Sequence, residues 1–235
     1  MSVILSDEII AEYWKELFDR NNYSFNNSTF SNRESAKKSV WIPYSDIESV
    51  SEEFAAYLMS YPERILSLGR ETLRSTAETD EEMCIRVTGL PDNCLREMGG
   101  IDSGNSDFIS VKGIVTKFEP LNIKQNNGIK TILSEIQTVV ISDNPKGFRA
   151  MELRLGGDLL GTEICGKTLT FNGFYRDDDF SDDSGTIIVS RHFEVNSIGT
   201  ADSPFDIAFS EEDIKEIQKA SEDPLFFDNQ QTQLR

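Results

Sequence analysis

Five stretches from Phe108 onward alternate apolar and polar residues with a period of two, and no other feature restricts the fold as tightly. Phe108–Phe118 reads Phe-Ile-Ser-Val-Lys-Gly-Ile-Val-Thr-Lys-Phe. Ile132–Ser142, Ala150–Leu155, Lys167–Tyr175 and Thr186–Ile198 keep the same rhythm and are rich in β-branched and aromatic side chains. That is the pattern of strands with one face buried. Turn residues separate them: Asn126-Asn127-Gly128, Asp143-Asn144-Pro145-Lys146-Gly147 and Ser181-Asp182-Asp183-Ser184-Gly185. Gly113 and Gly173 fall inside strands, which predicts bulges or sharp bends there.

Five strands of this length with internal glycines fit a small OB-type barrel. Periodicity alone does not separate that fold from an SH3-like barrel or a small sandwich. The character of the chain changes near Met83, and upstream of it the spacing is helical. Ile9, Ile10, Tyr13, Trp14, Leu17 and Phe18 recur at three-four spacing. Asn21–Lys38, rich in Asn and Ser, is expected to be a loop, and Val40-Trp41-Ile42 a short extended segment stopped by Pro43. Ser45-Asp46-Ile47-Glu48 has capping-box spacing, and Phe54, Leu58 and Tyr61 line the helix face expected after it. Pro62 stands where a first helical position is expected; Ile65, Leu66, Leu68 and Leu73 carry that helix to about Arg74. Near the end, Ser210-Glu211-Glu212-Asp213 predicts a last helix, broken at Pro224. The expected class is therefore α+β: an N-terminal helical subdomain (1–82), a five-stranded barrel (83–205) and a C-terminal helix with a linker (206–235).

The formal net charge of −18 argues against a generally cationic nucleic-acid coat. The charge is uneven, however. Phe108–Arg176 holds nine Lys/Arg against six Asp/Glu, an excess of three positive charges, which leaves −21 for the rest. Cys84, Cys94 and Cys165 are odd in number and widely spaced, as expected of buried apolar thiols in a reducing cytosol. No apolar run approaches the roughly 20 residues that span a bilayer, and Met1–Ile10 carries Asp7 and Glu8 without a basic leader.

Enzyme signatures are absent. There is no GxxxxGK[ST] phosphate loop, and Gly156-Gly157-Asp158 reads as a turn. His192, the one histidine, has no serine or cysteine elbow beside it and reads as structural. The acidic run Asp177, Asp178, Asp179, Asp182, Asp183 lacks the ligand spacing of a calcium loop and reads as a solvated hairpin tip. A single-strand binding surface needs cations to follow phosphates and flat faces for bases. Lys117, Lys124, Lys146, Arg149 and Arg154 supply charge, and Phe118 and Phe148 are the candidate stacking faces.

An ordered set of segments resembles one known family. Ile85-Arg86-Val87-Thr88-Gly89-Leu90-Pro91, followed by Phe108–Val115, is similar to the lead-in to the OB fold of minichromosome maintenance (MCM) replicative helicases. Tyr44–Ile47 with Tyr57–Arg64 resembles that family's N-terminal helical subdomain. Gln137 and the stretch FRAMELRLGGDLLG from Phe148 are similar to the following strand. Lys167–Arg176, ending Gly-Phe-Tyr-Arg, resembles the strand after that, and FSEEDIKEIQKASEDP from Phe209 the helix before the motor linker. The resemblance spans about Ser39 to Pro224.

It implies an archaeal-type, cytoplasmic, nucleoid-associated module that binds single-stranded DNA through its OB face and assembles into a hexameric ring, or an open filament if the contacts do not close. Other replication proteins are implied as partners, and no membrane. The AAA+ ATPase that would bring ATP and magnesium is expected beyond this chain, which is read as an excised fragment or a motor-less relative. Two departures matter. The family's zinc module is replaced by the direct turn Lys124–Lys130, so no metal or other cofactor is expected. The hairpin after Gly173-Phe174-Tyr175-Arg176 is acidic where the family's is basic. That shifts the expected DNA contacts to Lys117, Lys124, Arg149 and Arg154 on the barrel, with Lys146 and Arg176 at its edges. The competing reading is an acidic oligomerisation scaffold that binds no DNA.

Overall fold

Ser6 opens the first helix: its hydroxyl accepts from the Ile9 N–H at 3.4 Å, satisfying one donor of the first turn. The structure, a computed structural model, describes residues 5–21, 23, 25–26, 38–77, 83–126, 129–132, 135–143, 149–162, 164–181 and 187–200. In α1 (Asp7–Arg20) the three-four spacing buries Ile10, Trp14 and Leu17 completely, while Ile9 stays 41% exposed. The predicted capping box at Ser45 is not used. Pro43, already in extended backbone, precedes α2 (Tyr44–Val50), so Ser45 lies inside that helix. Ser51 does the capping one helix later, accepting from the Phe54 N–H at 3.2 Å at the start of α3 (Glu52–Ser60). Pro62 begins α4 (Pro62–Thr76) as expected. Tyr61, placed on a buried face by its spacing, instead joins the two helices and is half-exposed.

Trp14 ties the helices together. Its indole N–H donates to the Ile65 carbonyl at 2.9 Å, and Phe54 meets its ring edge-on at 5.3 Å. Gly69 permits this approach, since a Cβ there would stand 2.6 Å from Trp14 Cε2. The helices cover a small sheet ordered β1 (Phe25–Asn26), β2 (Lys38–Pro43), β3 (Met83–Thr88), with β2 and β3 parallel. The strand expected at Met83 thus belongs to this sheet.

The remaining strands are β4 (Leu95–Arg96), β5 (Ile109–Phe118), β6 (Ile123–Asn126), β7 (Ile129–Ile132), β8 (Ile136–Ser142), β9 (Ala150–Gly156), β10 (Thr168–Ser181) and β11 (Ile187–Thr200). Six form one sheet in the order β10-β11-β9-β8-β5-β4, and β10 also pairs with β5, which partly closes the sheet into a ring. β11 and β9 run parallel; the other ring pairs are antiparallel. β6 and β7 make a separate hairpin between β5 and β8, where the sequence expected a direct turn.

Alternation sends Val111, Val115, Val139, Ile141, Leu153, Leu155, Phe171 and Phe193 into the ring, all at 1% exposure or less. A register shift falls at Asn172/Gly173, where a Cβ on Gly173 would collide with the Glu194 carbonyl. Gly113 carries no bulge. The second shift lies between Val115 and Lys117, and Gly113 instead makes room for Met98 and Ile141. The predicted C-terminal helix lies outside the described residues.

Candidate nucleic-acid interface

The outside of the ring has two unlike halves. Over β10 and β11 the helical layer is in contact: Phe174, on the outer face of β10, is 4% exposed and meets Phe108 edge-on at 6.0 Å within the helical core. Over β5, β8 and β9 the outer face is open. Directly paired residues share a face, so the row Lys117–Val140–Glu152 runs beside the row Thr138–Arg154–Glu194. Lys117, Glu152 and Ala150 are exposed, and Thr138 and Val140 half-buried.

The six expected cations separate accordingly. Lys117 stands on the open face, just past the β5 register shift, and makes no ion pair among the described residues. Phe118, next in sequence, is 47% exposed at the end of the strand. Lys124 is on β6 opposite Thr131, in the hairpin that leaves this end of the ring. Arg149 is exposed just before β9; its carbonyl accepts from Ser142 Oγ at 3.0 Å, and its guanidinium lies over Gly99. Arg154 sits where the open face meets the helical layer, with Nη1 3.2 Å from His192 Nδ1. Arg176 faces away from the open half, held by Glu63 of α4 at 3.0 Å and by Glu194 at 3.1 Å. Lys146 and Phe148 lie outside the described residues. Lys117 and Arg154 therefore share the outer surface, Arg149 lies beside it at the start of β9, and Arg176 is engaged by the helices. On the acidic hairpin, Asp177 is bridged by Arg191 at 2.7 Å, and Arg191 also lies against the Tyr175 ring at 5.9 Å.

Three features carried no readable signal in the sequence because they join distant residues. Arg86, 6% exposed, donates through Nε to Asp158 Oδ1 at 2.8 Å, through Nη1 to the Asn196 carbonyl at 2.9 Å and through Nη2 to the Gly156 carbonyl at 2.9 Å. Asp158 in turn accepts from Ser39 Oγ at 2.6 Å. This buried network fastens β2 and β3 to β9 and β11. The ion pair Glu63–Arg176 fastens α4 to β10. A cleft of about 320 Å³ lies between α4 and the strands, with Arg70, Arg154, Arg176 and His192 in its wall.

Of the cysteines, Cys94 is buried, Cys84 half-buried and Cys165 exposed, and none is bridged. Burial pushes the Cys94 thiol pKa up, partly countered by Arg96. Among the described residues no three His, Cys, Asp or Glu gather to hold a metal ion, and no helix is long and apolar enough to cross a membrane.

Strand order, ring closure and the helical layer define an α+β module with an OB-like sheet. No protein-family model matches the sequence, and no curated protein matches it. Among solved structures the chain is similar to the 1.8 Å crystal structure of the N-terminal domain of an archaeal MCM. The TM-score is 0.61 with 16% identity, over 83% of this chain and 100% of that one. At that identity the likeness establishes the fold alone.

Proposed function

We propose that this chain is a single-stranded DNA-binding and ring-assembly module, the N-terminal part of an MCM-type replicative helicase. The observation that carries this reading is the open outer face of β8 and β9 in a ring of OB strand order, on a fold like that of an archaeal MCM N-terminal domain. In five-stranded OB barrels that face, with the loop between the first two strands, takes oligonucleotides. Here that loop is the β6–β7 hairpin carrying Lys124 and Lys130, and the face carries Lys117 and Arg154.

The division of labour follows from charge. Lys117, Lys124, Lys146 and Arg149 track the phosphates, Arg154 marks the inner limit of the path, and Phe118 offers a base-sized flat face. Arg176 contributes chiefly by holding the helices to the barrel. The acidic hairpin beginning at Asp177 repels phosphate and confines the strand to the opposite end of the ring. The module has no phosphate loop, so strand separation falls to an ATPase supplied by another domain. Copies of the module associate head to tail into a hexameric ring.

The test is fluorescence anisotropy with a labelled oligothymidylate at rising salt, alongside light scattering at several protein concentrations. Binding that weakens linearly on a log–log salt plot, with a mass of six protomers, supports the proposal. The net charge of −18 favours one competitor, an acidic assembly scaffold. A ring that binds no oligonucleotide even at low salt establishes that competitor instead.

A further inference from the structure

The open face of the ring changes character from one edge to the other. On the β5 side stands Lys117, exposed. The guanidinium of Arg149 lies over Gly99, whose chain neighbour Met98 packs on Gly113 of β5. Along β8 the outward positions are Ile136, half-exposed, and Thr138 and Val140, half-buried. On β9 the outward residue level with Val140 is Glu152, which is exposed. Lys117, Val140 and Glu152 are direct partners across three adjacent strands, so a cation, an apolar side chain and a carboxylate stand in one row.

Lys117 and Glu152 stand two strand spacings apart, about 10 Å, and do not pair. Among the described residues Glu152 makes no hydrogen bond or ion pair. The next outward residue of β9, Arg154, is engaged with His192 at 3.2 Å. A carboxylate only accepts hydrogen bonds, and it repels phosphate. A strand lying along β8 therefore carries its phosphates over Lys117 and Arg149. Its bases rest on Thr138 and Val140, and their edges turn toward Glu152. Single-stranded bases are read on their Watson–Crick edges. On that edge guanine alone presents two adjacent donors, N1–H and the N2 amino group. Adenine and cytosine each set one amino donor beside an acceptor nitrogen, and thymine sets one N–H between two carbonyls.

We propose that Glu152 is a base-reading residue that selects guanine in a single strand, an inference that rests on the reading of the open face as the DNA path. Guanine N1–H and N2–H donate to the two carboxylate oxygens, a charge-assisted bidentate pair. Every other base leaves one carboxylate oxygen without a donor or sets a lone pair against it. The cross-section of the path is thereby fixed, with the backbone over β5 and the base edges over β9.

The test is anisotropy at low salt with three labelled octamers in which thymidine alternates with deoxyguanosine, deoxyinosine or deoxyadenosine. Inosine lacks only the N2 amino group of guanine. The three strands carry the same phosphates, so the backbone contribution cancels in the ratio of their affinities. Wild type should bind the guanosine octamer at least about fivefold more tightly than the adenosine octamer, with the inosine octamer between them. Glu152→Ala and Glu152→Gln, each checked for native circular dichroism, should bring the guanosine-to-adenosine ratio to one or below. A carboxylate that merely repels phosphate leaves that ratio unchanged, and both variants then bind all three octamers more tightly. Equal binding of the guanosine and adenosine octamers by wild type, or a preference that persists in the folded variants, overturns the proposal while the DNA path stands. No binding of any octamer overturns the DNA path, and the role of Glu152 falls with it.

Discussion

Removing the Asp158 carboxylate should be among the most damaging single changes this protein can undergo. Asp158 is 8% exposed and Arg86 6%. Asp158→Ala leaves the Arg86 charge buried with only the Asn196 and Gly156 carbonyls, each at 2.9 Å, to face it. It also strips Ser39 Oγ of its acceptor. Breaking one side of a buried ion pair costs about 3–5 kcal/mol, a fifth or more of the roughly 5–15 kcal/mol that holds a typical domain folded. The double change Arg86→Met with Asp158→Leu removes both charges, so it should be less harmful than the sum of the two single changes. A coupling of at least about 1.5 kcal/mol is expected for neighbours in one network. It should not return to wild type, because two buried carbonyls lose their donor at about 1–3 kcal/mol. Urea unfolding followed by the fluorescence of Trp14 and Trp41 measures all three variants, with a constant m-value as the check on two-state behaviour. A cost below about 1 kcal/mol for Asp158→Ala, or strict additivity in the cycle, refutes the reasoning.

Gly173→Ala forces a methyl group against the Glu194 carbonyl and should cost about 1–3 kcal/mol in the same assay. Cys165, exposed, should react with a disulfide reagent at pH 8 at least about tenfold faster than Cys94, whose thiol is buried and held protonated; mass spectrometry of the quenched products assigns the sites. The Glu8 carboxyl is held below its usual pKa by a hydrogen bond from its own backbone N–H and by Ser6. Its folded-state value is the lower one, so its contribution is complete above the unfolded-state pKa and is lost as pH falls through the folded-state one. Glu8→Gln should therefore shrink the drop in Tm between pH 7 and pH 3.

The local part of the fold was legible in the sequence. β5, β9 and β11 lie close to the alternating runs that predicted them, and α1 and α4 follow their three-four spacing, because burying one face is a local requirement. What joins distant segments was not legible. The parallel pairing of β2 with β3 rests on two short runs either side of three helices. Arg86 and Asp158 read separately as a strand residue and a turn residue. The β6–β7 hairpin went unrecognised because Lys124–Lys130 is too short and polar to show a buried face. The site behaved likewise. Lys117 was readable as the polar position of an amphipathic strand, whereas the engagement of Arg176 by Glu63 required the placement of α4 over β10.

The salt dependence of oligothymidylate binding by wild type and by Lys117→Ala/Arg149→Ala tests the DNA-binding proposal most directly. For a single strand each lost phosphate contact reduces the log–log slope by about 0.7. We expect the double variant to bind more weakly with a slope smaller by about 1.4. Unchanged affinity and slope would contradict a polynucleotide path over the open face of the barrel.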